Sequence, residues 1–337
     1  MMDRKKVLII RFSSIGDVIL TTPILTEIKK KYPNWDIDFI VMDKFKDAIT
    51  YNSNINKLII FEKDKYKGKN GIQKFIKEKL KGEYDLIIDL HNKFRSIYIS
   101  KLLKARDKCE VLTYKKRKWW KSLLVKMRLI KYKVDNTIIK NYFKPLEKYQ
   151  IYYNGENIEF NFLKEHLEKI KKLKIENFVV FAPGASKETK KWPKENFASL
   201  AKLIKKEYNY NIILIGSKAE EKDLSKINKL SGNICINLAG KLNLKESGAI
   251  ISKAYFVVTN DSGPFHIARG VKTKTFVIFG PTSPGMFEYD KNSILLYENE
   301  ECSPCSLHGD KKCPKKHFKC MKNLTADKVF KIIKKSS

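Results

Sequence analysis

The sequence predicts an α/β protein built from two doubly wound, parallel-sheet domains, and three observations carry the prediction. Short runs of Ile, Val and Leu alternate with longer stretches of helical periodicity, first in the N-terminal half and again in the C-terminal half. Those runs scarcely alternate with polar residues, as expected of strands covered by helices on both faces. The chain is also long. Its 337 residues, 43% of them hydrophobic, exceed the roughly 250 to 300 residues at which a single core stops growing.

In the first half, strands are expected at 7–11, 36–41, 57–61 and 86–90. Helices are expected at 17–31, near Phe45, at 72–81 and from about Asn92. Between 101 and 174 the pattern blurs into basic, aromatic and Asn-rich sequence, and Asn154-Gly155 marks a turn. The domain boundary belongs there. A second series follows, with strands at 178–181, 211–215, 234–237, 255–258 and 275–279. Its helices lie at 195–207, 220–230, 244–253 and from Pro264. A last helix, 325–335, comes after a cysteine-rich loop and is expected to pack back across the first domain. The expected division is thus 1–165, 166–323 and a returning segment at 324–337. The cleft outside the carboxyl ends of the strands is the default ligand site.

No apolar run approaches the roughly 18 to 20 residues of a membrane span, so a soluble, unsecreted protein is expected. The formal net charge of +32 calls for anionic company: nucleic acid, a membrane surface or an acidic substrate. Between Lys101 and Gln150 there are 16 Lys or Arg against 4 Asp or Glu. This stretch includes Lys115-Lys116-Arg117-Lys118-Trp119-Trp120-Lys121, and tryptophans among lysines suit the headgroup zone of an anionic bilayer. Six cysteines are too few for a disulfide scaffold at this length, and Cys109 and Cys235 are expected as small buried thiols. Cys302, Cys305, Cys313 and Cys320, with His308 and His317 interspersed, have ligands enough for a structural zinc. Plain or disulfide-linked cysteines are the alternative.

Five loops fall at the carboxyl ends of expected strands. The first, from Phe12 to Val18, places Asp17 at a helix start, as a simple cap or as a catalytic carboxylate. It lacks the three-glycine dinucleotide spacing, and no Walker-type loop occurs in the chain. The loop after the next domain's first strand carries Ser186 and Lys190, whose hydroxyl and ammonium are what a leaving diphosphate requires. Glu220 follows Gly216-Ser217-Lys218-Ala219, where it can accept from ribose hydroxyls or serve as a helix-start carboxylate. In Asn260-Asp261-Ser262-Gly263-Pro264-Phe265-His266, Asp261 or Ser262 can cap a helix, and Gly263 lets backbone approach a ligand. Pro264 suits the first helical turn. Free N–H groups and the positive helix end then favour phosphate. Gly280-Pro281-Thr282-Ser283-Pro284-Gly285 closes the last expected strand with a rigid loop.

The segments FSSIGDVILTTP (12–23), GASKETKKWP (184–193), NDSGPFH (260–266) and GPTSPG (280–285), in this order, resemble the heptosyltransferases of glycosyltransferase family 9. That resemblance implies a GT-B architecture of two Rossmann-like domains, with the nucleotide sugar held mainly by the second. It also implies transfer of heptose from ADP-heptose to the acidic inner core of lipopolysaccharide, with inversion and without a metal. Carried over by motif, Asp17 is the general base. Ser186 and Lys190 belong to the diphosphate loop, and Asp261, Ser262, Gly263 and His266 to the sugar and phosphate loop. Glu220 is a ribose contact and Arg95 a basic acceptor-side position. No cofactor is then needed for catalysis, and the enzyme works as a cytoplasmic, peripheral protein on the inner face of the membrane. The only Asp-x-Asp, Asp36-Ile37-Asp38, starts a strand, which argues against a metal-dependent sugar transferase. A GT-B enzyme with another nucleotide sugar or acceptor is the nearest alternative. A basic nucleic-acid-binding protein is a second, although no nucleic-acid-binding motif is present and no specific nucleic-acid partner is expected.

Overall fold

The computed structural model describes residues 4–114, 134–155 and 157–336. The Lys-Trp run at 115–121 lies outside the described residues. Two units result, one from the residues up to 114 with Asn136–Asn161, the other from Phe162 onward together with residues 134–135.

In the first unit, strands Lys6–Ile10 (β1), Asp36–Met42 (β2), Lys57–Phe61 (β3), Leu86–Asp89 (β4) and Glu110–Thr113 (β5) form a parallel sheet in the order β3-β2-β1-β4-β5. Val7 through Ile10 are fully buried, which explains why β1 shows no polar alternation. Helices Ile15–Ile19 (α1), Thr22–Lys31 (α2), Gly68–Lys79 (α3), Phe94–Asp107 (α4) and Ile138–Phe143 (α5) accompany it. The single helix expected at 17–31 is two helices. Pro23 lies in the first turn of α2, where its missing N–H costs nothing, whereas in a continuous helix it would lack a bond to the preceding turn. The unexpected β5 is an edge strand with only Leu112 buried, so it carries no apolar run to read.

The second unit opens with Lys164–Lys171 (α6) and has six parallel strands: Phe178–Ala182 (β6), Asn211–Leu214 (β7), Cys235–Asn237 (β8), Val257–Asn260 (β9), Thr275–Phe279 (β10) and Ser293–Tyr297 (β11). Their order is β11-β10-β9-β6-β7-β8. Lys194–Tyr208 (α7), Glu221–Leu230 (α8), Leu244–Ile251 (α9), Gly263–Gly270 (α10), Lys319–Lys322 (α11) and Ala326–Ser336 (α12) complete it. The boundary falls four residues earlier than expected because α6 packs on α9, with Lys169 Nζ 3.0 Å from Glu246 Oε1.

The last helix corrects the expectation that it returns to the first domain. Val329 and Ile333, four residues apart on one face of α12, lie in the second unit's core with Leu200, Ala201 and Ile204 of α7. Trp192 Nε1 donates to Leu324 O at 2.7 Å and fixes the helix's approach. An apolar stripe announces burial without naming the partner, and here the partner is α7. No helix among the described residues is long and apolar enough to cross a membrane.

Both sheets share one topological feature. Strand order reverses beside the first strand of each unit, so β1 lies between β2 and β4, and β6 between β7 and β9. In open parallel sheets, the loops leaving the two strands at such a switch point diverge and leave a crevice for ligand.

Candidate active site

In the first unit the switch-point loops leave β1 and β4, and Asp17 and Arg95 lie on them. Ser14 is the N-cap of α1, and Asp17 is its third residue. Asp17 Oδ2 accepts from Ser14 N at 3.2 Å and Ser14 Oγ at 2.9 Å, and Arg11 Nη2 lies 2.9 Å away. Arg11, buried at the end of β1, also donates from Nε to Ser13 O at 2.8 Å and from Nη1 to Leu90 O at 2.5 Å. One guanidinium thereby ties the loop after β1 to the loop after β4. Oδ1 of Asp17 accepts from the Tyr142 hydroxyl at 3.3 Å. Burial acts to raise the Asp17 carboxyl's pKa, but the Arg11 charge and the hydrogen bonds from Ser14 and Arg11 outweigh it and hold the group below its ordinary value. Its side chain remains 31% exposed, so the anion is both stabilised and reachable.

Arg95 occupies the first turn of α4, at the carboxyl end of β4 and thus at the same sheet edge as Asp17. The turn before it is made by Asp89 Oδ1, which accepts from His91 N and Asn92 N at 2.9 and 2.8 Å. Arg11 and Tyr142 were not legible as site residues. A buried arginine six positions before a helix-start carboxylate is a signal in retrospect, whereas Tyr142 comes from a stretch with no motif.

In the second unit, β6 and β9 flank the switch point. Lys190 closes a 3-10 turn at Glu188–Lys190, and its Nζ lies 2.7 Å from Asp261 Oδ2. The two side chains are 13% and 6% exposed. Thr282 Oγ1, from the loop after β10, donates to the same oxygen at 2.8 Å. Three of the expected loops therefore meet at one carboxylate. Ser262 is the N-cap of α10, yet its buried Oγ makes no hydrogen bond among the described residues. Gly263 and Pro264 form the first turn of α10; Pro264 has no N–H and Phe265 N donates to Ser262 O at 3.2 Å, which leaves the Gly263 N–H at the helix's positive end. His266 is buried one turn later, with Phe287 5.0 Å away in an edge arrangement. Ser186 is exposed on the loop after β6.

Asn260, which sequence reasoning left aside, holds these loops together from the end of β9. Its Oδ1 accepts from Trp192 N at 3.1 Å, and its Nδ2 donates to Pro183 O at 2.6 Å. Glu220 completes a helix-start box: Oε2 accepts from Ser217 N and Oγ at 2.7 and 2.8 Å. Its other oxygen lies where a Cβ on residue 184 would stand, so any side chain there would push the Glu220 carboxylate aside. Gly184 and Glu220 line a cavity of about 310 Å³ with Pro183, Lys191, Asp223 and Phe318, at the small end for ligand pockets.

The cysteine-rich loop braces this site. Thr189 and Asp310 exchange three hydrogen bonds: Asp310 O accepts from Thr189 N and Oγ1, and Thr189 Oγ1 accepts from Asp310 N at 2.7 Å. Cys305 N and Ser306 N both donate to Pro281 O at 3.0 Å. The fold brings Cys302, Cys305, Cys313 and Cys320 near enough to interact, and Cys302 Sγ lies 3.8 Å from His317 Nε2. Among the described residues no group of three or more His, Cys, Asp or Glu side chains is arranged to hold a metal, and the cysteines are free thiols. Cys320 packs in the second core beside Met321. Burial pushes the Cys320 thiol up to about 12 and the Cys305 thiol up to about 11, with the neighbouring cysteines adding to the effect.

Comparison with known proteins identifies the family. The model described as glycosyltransferase family 9 (heptosyltransferase) matches residues 72–317, a span that holds Lys190, Glu220 and the Asp261 loop and begins after Asp17. The chain belongs to glycosyltransferase family 9. It is 29% identical over 345 residues to lipooligosaccharide heptosyltransferase 2 of Campylobacter jejuni, with 96% of each chain covered. It is 26% identical over 300 residues to lipopolysaccharide heptosyltransferase 3 of Escherichia coli, covering 84% of this chain and 85% of that one. Its fold is similar to the family 9 glycosyltransferase of Veillonella parvula, with TM-score 0.81, 20% identity and coverage of 100% and 98%. A further similar fold is the E. coli heptosyltransferase solved with ADP-2-deoxy-2-fluoro heptose, with TM-score 0.70, 19% identity and coverage of 98% and 100%. The two parallel-sheet units are therefore the Rossmann-like domains of a GT-B glycosyltransferase.

Proposed function

We propose that this family 9 glycosyltransferase moves heptose from ADP-heptose to an acidic acceptor of the lipopolysaccharide inner core, with inversion and without a metal ion. The observation that carries the reading is the pair of switch-point sites. One is a reachable carboxylate fixed by an arginine, and the other an ammonium paired with Asp261 next to the start of α10. The names of the relatives supply the sugar: several are lipooligosaccharide or lipopolysaccharide heptosyltransferases.

The chemistry follows from the residues. Inversion requires one carboxylate to take the proton of the acceptor hydroxyl as its oxygen attacks the anomeric carbon from the face opposite the diphosphate. Asp17 has that role. Its lowered pKa keeps it ionised at neutral pH, ready to receive the proton late, once the attacking oxygen has begun to bond to carbon. On the donor, the bond from the anomeric carbon to the diphosphate breaks with its electron pair going to ADP. Lys190, Ser186, Ser262 and the Gly263 N–H at the start of α10 are the donors that meet this charge. Glu220 and the cavity beside it suit the ribose. Arg95 serves the acidic acceptor.

A membrane surface fits the same acceptor. On α4, Phe94 is 62% and Ile97 49% exposed, and the exposed Lys101 and Lys104 continue their stripe at helical spacing. An apolar tip followed by ammonium groups suits the boundary of an anionic bilayer, and we place the enzyme on the cytoplasmic leaflet.

Calorimetric titration with ADP, ADP-heptose and UDP-glucose tests the donor. Preference for ADP-heptose, lost in Lys190→Ala, is the expected result. Preference for UDP-glucose would keep the architecture and overturn the heptose assignment.

A further inference from the structure

We propose that Tyr142 is a positioning residue that reserves Oδ1 of Asp17 for the acceptor's proton. The inference rests on Asp17 being the base. It starts from the unequal surroundings of the two carboxylate oxygens.

Oδ2 receives three donors: Ser14 N, Ser14 Oγ and Arg11 Nη2. A carboxylate oxygen offers about two lone-pair directions, so Oδ2 is saturated, and a proton could reach it only by displacing a donor. Among the described residues Oδ1 receives only the Tyr142 hydroxyl, at 3.3 Å, and keeps a lone pair open. In the transfer step the acceptor O–H bond breaks and its proton passes to Oδ1. The acceptor oxygen forms the bond to the anomeric carbon, and the electron pair of the broken sugar–diphosphate bond leaves with ADP. The phenol remains a donor to Oδ1 throughout and gains no proton.

Tyr142 is held for this task. It lies on α5, where its buried neighbours Ile139 and Phe143 anchor the helix in the first unit. Its ring meets Tyr114 edge-on, with centroids 5.0 Å apart at 87°. The Arg11 guanidinium sits 5.3 Å from its centroid, so the same arginine that pairs with Oδ2 also backs the phenol that binds Oδ1. The titratable groups around Asp17 are thus Arg11 at the end of β1, Tyr142 on α5 and, one shell out, Tyr114 after β5. Burial keeps the Tyr142 phenol protonated far above neutral pH, so it stays a donor over any working range.

Two full-length variants test this: Tyr142→Phe, which removes the hydroxyl and keeps the ring, and 3-fluorotyrosine at the same position, whose more acidic phenol is a stronger donor. The Asp17 carboxyl is titrated by carbon-13 chemical shift without substrate, and transfer is measured against pH with donor and acceptor. Phe is expected to raise the Asp17 titration midpoint and the acid limb together and to lower kcat about tenfold, with KM for the donor unchanged. Fluorotyrosine is expected to lower the midpoint and keep kcat near wild type. Midpoints that coincide with wild type in both variants would overturn the proposal, as would full kcat in the Phe variant. If the Phe variant fails to fold, the direction of the fluorotyrosine shift decides alone. Should Asp17→Asn transfer at the wild-type rate, the base assignment itself has failed, and the substrate-free titration still reports whether Tyr142 binds Oδ1.

Discussion

Lys190 and Asp261 form a nearly buried ion pair, Nζ to Oδ2 at 2.7 Å, at the mouth of the second sheet. The ammonium proposed to meet a diphosphate is thus already ordered by a carboxylate, which Thr282 orients in turn. A charge pre-placed in this way need not be reorganised when charge develops on the leaving group.

Removing one partner leaves the other charge buried. Lys190→Ala is expected to destabilise the enzyme by about 3 kcal/mol and to weaken donor binding. Lys190→Ala combined with Asp261→Ala is expected to recover much of the stability and none of the binding. Thermal melts and calorimetry on the three proteins check this. A double variant no more stable than Lys190→Ala alone would show that the pair is not what the single change disrupts.

Asn260 is fully buried and satisfies Trp192 N and Pro183 O together. Asn260→Ala strands both groups and is expected to cost about 2 to 4 kcal/mol, with donor affinity falling as the loops after β6 and β9 lose register. Chemical denaturation measures the first effect and calorimetry the second.

The pH dependence follows from the Asp17 environment. A base works when deprotonated, so activity is lost as pH falls through its folded pKa, and that pKa is depressed. The acid limb of kcat/KM is therefore expected below the ordinary aspartate value of about 3.9. Stability moves the same way, since the carboxylate's contribution is complete above the unfolded value and disappears as pH falls through the folded one. A limb centred near pH 6 would contradict the arginine's proposed hold on Asp17.

The Phe94 and Ile97 tip predicts binding to phosphatidylglycerol vesicles that falls with salt. Phe94→Ser with Ile97→Ser is expected to weaken it at least about tenfold. Equal sedimentation of wild type and variant would move the contact elsewhere.

What was legible in the sequence was local. β1, β6 and β10 are apolar runs buried on both faces, and the anion loops combine caps, glycine and proline within a few residues. What escaped was tertiary. β11 is an edge strand with only Leu296 fully buried, so its burial pattern is nearly that of a loop. The apolar face of α12 shows that it packs but not on which domain. Tyr142 reaches Asp17 across 125 positions, and no spacing rule covers that. The contacts by which the Cys302 to Cys320 loop clasps Thr189 and Pro281 are equally long-range and left no mark in its spacing.

The most direct test of the account is Asp17→Asn, which keeps the side chain's shape and removes its basicity. Turnover measured with ADP-heptose and an inner-core acceptor is expected to fall at least about 100-fold, with donor affinity and melting cooperativity unchanged. Near-wild-type turnover in that variant would contradict it.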